Sequence, residues 1–66
     1  MWYRVDNEKL TVFARDDDGN ETDMNDGDPC ETPKQLWNFI MGLYEKKILN
    51  TWITGGLLAD IDEVNK

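Results

Sequence analysis

The 66-residue chain has no histidine and a single cysteine, Cys30. Without an imidazole, histidine general bases, Ser-His-Asp triads and histidine-ligated zinc are excluded. One thiol cannot close an intrachain disulfide, which fits a reducing compartment, and a cytoplasmic location is expected. Positive charge is also scarce: seven Lys and Arg stand against fourteen Asp and Glu, for a formal net charge of −7. Phosphate recognition needs clustered bases, so direct nucleic-acid binding is disfavoured, as is an anionic membrane surface. No apolar run approaches the ~20 residues that span a bilayer. "MWYRVDNEKL" has no apolar core and mixed charge, so no secretory leader is expected. Asn20-Glu21-Thr22 is formally a glycosylation sequon. Without a leader it reads as a chance match.

Aromatic residues are well represented: three Trp, two Tyr and two Phe. A chain this short is near the lower limit for a self-supporting core, and large rings partly compensate. A folded domain is expected over residues 1–66, and homodimerisation would enlarge its core.

Charge is unevenly spread. Residues 1–15 carry three bases and two acids, residues 16–31 eight acids and no base, and residues 32–66 four of each. The middle segment therefore supplies the whole excess.

The alternation of residues 2–15 predicts a β-hairpin. A turn centred on Asn7-Glu8 would set Val5 opposite Leu10, Tyr3 opposite Val12 and Asp6 opposite Lys9. Tyr3, Val5, Leu10 and Val12 then share one face, and Trp2, Arg4, Thr11 and Phe13 the other. Residues 16–31 read as an acidic loop with turn signals at Asp18-Gly19 and Asp26-Gly27. A third strand around residues 21–24 has only Met24 as apolar support.

Residues 33–48 predict a central helix. Thr32 is its N-cap, Pro33 sits at N1, and Gln35 completes a Thr-x-x-Gln capping box. Its apolar residues, among them Leu36, Trp37, Ile40, Met41 and Leu43, cover roughly 200° of circumference. Residues 52–64 predict a short C-terminal element, helix in preference to edge strand, with a break at Gly55-Gly56 before Leu57, Leu58, Ile61 and Val64. The fold class expected is a small α+β domain.

Three functions can be weighed for the acidic loop. An EF-hand with Gly19 at its sixth position would need ligands at Ala14 and Asn25, and with Gly27 there, at Thr22 and Pro33. Neither register works, leaving weak calcium binding as a second alternative. Catalysis is not expected. Acidic neighbours oppose ionisation of Cys30, although a following helix N-terminus favours it. Catalytic carboxylate pairs also need a pocket with unlike environments. The third function is a surface for a basic protein, since fixed carboxylates accelerate encounter with a cationic partner. Eight acids over sixteen residues give one charge per about 6.6 Å of extended chain, against ~1.7 Å along duplex DNA. A DNA-mimicking surface would therefore need Asp6, Glu8, Asp60, Asp62 and Glu63 as well. The bland alternative is a solvated charge run, in which Asp28 and Glu31 favour the helix N-terminus.

In type, the chain resembles the very small acidic proteins that phages and mobile elements direct against host enzymes. These include uracil-DNA glycosylase inhibitors, anti-restriction proteins and anti-CRISPR proteins. "LTVFARDDDGNE" is similar to a segment of one group of phage glycosylase inhibitors. That resemblance implies non-catalytic blockade of a nucleic-acid-binding host protein, in the host cytoplasm, and no site residue is carried over from it.

The expected activity is a protein-binding inhibitor or modulator with no cofactor and no metal. Its electrostatic residues would be Asp16, Asp17, Asp18, Glu21, Asp23, Asp26 and Asp28, with Trp2, Phe13 and Trp37 as apolar anchors. The main alternative is a structural or regulatory subunit that docks through the broad apolar face of the central helix.

Overall fold

The computed structural model describes residues 2–61. Three strands, β1 (Trp2–Asp6), β2 (Thr11–Arg15) and β3 (Glu21–Asp23), are followed by α1 (Pro33–Glu45) and α2 (Thr51–Ala59). The sheet is antiparallel in the order β1-β2-β3, giving the expected small α+β architecture. Strand periodicity turns Tyr3, Val5, Val12 and Ala14 towards the helices. Val12, Leu36, Ile40, Leu43, Leu49, Leu57 and Ile61 form the buried core, with Tyr3 and Val5 packed against it.

The hairpin register differs from the expected one. Val5 pairs with Val12 and Tyr3 with Ala14, so the connection is the four residues 7–10 rather than Asn7-Glu8 alone. A two-residue turn would force Asn7 and Glu8 to positive φ, where Glu is poorly tolerated. In the longer loop only Leu10 takes positive φ, at 50°. Asp6 does not pair with the Lys9 side chain. Its Oδ1 accepts from the backbone N–H of Glu8 and of Lys9, each at 3.0 Å. The shift is by two residues, so the residues that stay in the strands keep their faces, while Leu10 passes into the connection.

Residues 16–31 are not one loop. β3 lies within them and pairs Phe13 with Asp23 and Arg15 with Glu21. Beyond Asp23 the ladder is continued by a side chain. The Met24 N–H donates to the Val12 carbonyl at 2.8 Å, while the Val12 N–H donates to Asn25 Oδ1 at 3.0 Å. Asn25 is 8% exposed and Val12 fully buried. The chain then returns along β2, where the Cys30 N–H donates to the Leu10 carbonyl.

α1 starts as its sequence predicts, the Thr32 side chain accepting from the Gln35 N–H at 3.1 Å. Gln35 does not close the capping box. Its Oε1 reaches one residue further back, to the Glu31 N–H. The helix ends at Glu45 rather than at Ile48, because Lys47 turns left-handed at φ 64°. The Ile48 N–H then donates to the Leu43 carbonyl, and that of Lys47 to Tyr44, a Schellman closure with lysine at the usual glycine position.

Gly55-Gly56 does not break α2, which runs through both. Asn50 caps it, its Oδ1 accepting from the Ile53 N–H at 2.8 Å. Ile53, Leu57 and Ile61 recur every four residues on the core side, and that packing outweighs about 1 kcal/mol of propensity lost per glycine. Residues 52–59 of the expected C-terminal element are thus helical; residues 62–64 lie outside the described residues.

Asn25→Ala leaves a buried N–H on Val12 without its acceptor and should cost about 2 kcal/mol by urea denaturation. An added Cβ at Gly55 meets nothing within 4 Å. Gly55→Ala should therefore raise stability by about 0.5–1 kcal/mol; a loss would show that α2 is not helical there.

Candidate partner-binding surface

The acidic segment folds into two turns at opposite ends of β3. Three strand residues separate them, about 10 Å. In the first turn, Asp16 Oδ1 accepts from the N–H groups of Asp18 and Asn20, both at 2.9 Å. The Asp16 carbonyl accepts from Gly19, whose φ of 87° suits glycine. Asp17 and Asp18 are exposed at its tip. In the second turn, Asp23 Oδ1 accepts from the Asn25 N–H at 2.7 Å and its Oδ2 from Gly27 at 3.0 Å. Asp26 and Asp28 are exposed there, Asp26 in the left-handed region that short acidic side chains tolerate.

The expected electrostatic residues thus take different roles. Asp16 and Asp23 spend carboxylate oxygens on their own turns. Glu21 lies on the outer face of the sheet and receives the Arg4 guanidinium at 2.6 and 3.1 Å. That hydrogen bond, more than charge alone, holds the Glu21 carboxyl below its usual range. Asp17, Asp18, Asp26 and Asp28 project to solvent in two separate groups. Among the described residues, no three acidic or thiol side chains are arranged to hold a metal ion.

The apolar candidates separate as well. Phe13 is half-buried, with the Arg4 guanidinium 4.5 Å above its ring. Trp37 is half-buried against the core. Trp2 alone of the three is well exposed, at 76%. It stands between two grooves. One is shared with Arg15, Asp16, Asp17 and Gly19. The other runs between β1 and α2 and is lined by Tyr3, Trp52, Gly56 and Asp60 among others.

Trp52, 89% exposed, is the residue that sequence reasoning missed. The signal was present. With Ile53, Leu57 and Ile61 on the buried side, positions 52 and 56 must turn outward. α2 carries no charged residue, yet Thr51, Trp52, Gly55, Gly56 and Ala59 all face solvent. α1, by contrast, buries Leu36, Ile40 and Leu43 and half-buries Trp37, Phe39 and Met41, so most of its apolar arc is occupied within the chain.

Cys30 is half-buried, and desolvation pushes its thiol up. The Asn25 amide opposes this and the Asp28 charge adds to it. A thiol in this setting is a poor nucleophile.

Among the described residues, no helix is long and apolar enough to cross a membrane. Comparison with protein-family models, with curated proteins and with solved structures finds no match.

The Arg4–Glu21 pair yields a pH prediction. A carboxyl held low when folded stabilises fully above its unfolded value, near 4.3, and loses that contribution as pH falls through the depressed one. The Arg4 Nε–H resonance should titrate with a midpoint below about 4.3. Glu21→Gln should abolish that transition; a midpoint in the ordinary glutamate range would rule out the ion pair in solution.

Proposed function

We propose that this chain is a non-catalytic binding domain that docks onto a basic protein surface and modulates or blocks it. The observation that supports this is the fixing of the acidic segment. Carboxylates on a floppy linker lose ordering entropy on binding, whereas those on hydrogen-bonded turns have already lost it in folding. Asp17 and Asp18 sit on a turn closed by Asp16, and Asp26 and Asp28 on one closed by Asp23 and Asn25. The negative field they create has a defined shape, which raises the rate of encounter with a cationic partner and aligns it. A nucleic-acid-binding protein is the natural class of partner, because its phosphate-binding groove is basic.

Docking through an apolar helix face is the second proposal, and the exposure of Trp52 favours α2 rather than α1 for that role.

Salt and charge neutralisation separate the two. Asp17, Asp18, Asp26 and Asp28 should be changed together to Asn, leaving Asp16 and Asp23 to hold the turns. A protein retained from native lysate by the wild-type chain should elute between about 50 and 200 mM salt and escape the quadruple variant. Equal retention by both, insensitive to salt, would transfer the site to the Trp52 face.

A further inference from the structure

We infer that the groove between β1 and α2 is a receptor for a guanidinium or ammonium side chain. About 260 Å³ in volume, it is lined by three aromatic residues, Trp2, Tyr3 and Trp52, together with the acidic residue Asp60. Among the described residues, neither a Lys nor an Arg lines it. Aromatic faces carry negative quadrupole potential, and several rings beside one carboxylate form a site for an organic cation. The flat arginine head stacks on indole and hydrogen-bonds a carboxylate in the same pose, so arginine suits it better than lysine.

The surroundings agree with that choice. Trp2 also borders the neighbouring groove, where Asp16 and Asp17 outnumber Arg15. A cation arriving at Trp2 therefore meets carboxylates on both sides. The floor of the cation groove includes Gly56, where an added Cβ would meet nothing within 4 Å. Asp60 is held at the rim by its own backbone, its carbonyl accepting from the Asn7 side chain at 2.9 Å. The Asp60 carboxylate can thus be changed without removing that tie.

This assignment deepens the docking proposal, since a basic protein is the source of such a side chain, but its test is separate. The probe is N-acetyl-arginine methylamide, with the citrulline counterpart as its neutral isostere, titrated into the ¹⁵N-labelled full chain. The three indole N–H resonances report individually. Those of Trp2 and Trp52 should shift together and saturably with the arginine compound, while that of half-buried Trp37 stays in place. Citrulline should bind at least about fivefold more weakly, and Asp60→Asn should weaken arginine by a similar factor. Trp52→Ala should abolish the Trp2 shift, with the amide spectrum otherwise retained. Equal response to citrulline, or shifts spread over all three indoles, would overturn the assignment. The Asp17/Asp18/Asp26/Asp28 quadruple variant should keep the arginine response. A wild-type chain that retains its partner but does not bind the arginine compound fails the arginine site alone, whereas one that binds the compound while the quadruple variant is retained as well as wild type fails the acidic docking proposal alone.

Discussion

The fold of the acidic half hangs on one neutral contact, the Asn25 side chain on the Val12 N–H. β2 is the central strand and its middle is buried, so every N–H there needs an acceptor. β3 is only three residues long and ends before it can serve Val12. Asn25 supplies the missing carbonyl from its side chain and so lets the chain leave the sheet early. The departure then has a fixed direction. Its amide nitrogen rests on Cys30 Sγ, the Cys30 N–H rests on Leu10, and two residues later Thr32 opens α1. An amide thus fixes where the turn carrying Asp26 and Asp28 leaves the sheet.

Three acids, Asp6, Asp16 and Asp23, accept from nearby backbone N–H groups. Each holds a turn closed with the short side chain best suited to it. The exposed acids ride on those turns. Concentrating charge this way works against a small domain through self-repulsion, and a stable core has to offset it. The solvated-run interpretation accounts for the solubility of such a segment. It does not require two capped turns, a third strand and a buried asparagine to hold the charges in place.

Much of the architecture was legible because it rests on local chemistry. Alternation in residues 2–15 gave both hairpin faces, and Thr32-Pro33 marked the start of α1 to the residue. What was illegible depended on contacts distant in sequence or on small energy differences. A register shift of two residues leaves the hydrophobic pattern unchanged, so pattern cannot detect it. The end of α1 rests on a left-handed lysine, where propensity would have asked for glycine. The continuation of α2 through Gly55-Gly56 needs the core that Leu57 and Ile61 join, and a local rule sees only the glycines. Asn25 looked like one more polar loop residue. Its role appears only once β2 is beside it. At the surface, charge was easy to see in the sequence, whereas the placing of Trp2 and Trp52 on one groove required both the sheet and α2.

The exposure of those two tryptophans is the costliest feature of the molecule. Burying an indole contributes about 3 kcal/mol or more, and a core of this size supplies only about 3–5 kcal/mol in total. A chain so close to that limit gains by covering its largest side chains, yet these two remain outside, at 76% and 89% exposure. The geometry of α2 gives one cause. Position 52 adjoins Ile53 but lies on the far side of the helix axis from Leu57 and Ile61, so no rotamer returns its ring to the core. Leaving an indole where a polar residue would keep the same helix is a choice made against stability. It is repeated at Trp2, on the same groove, where Asp60 also lies. Two indoles left in solvent on one groove, with Asp60 beside them, are what the proposed cationic partner would cover.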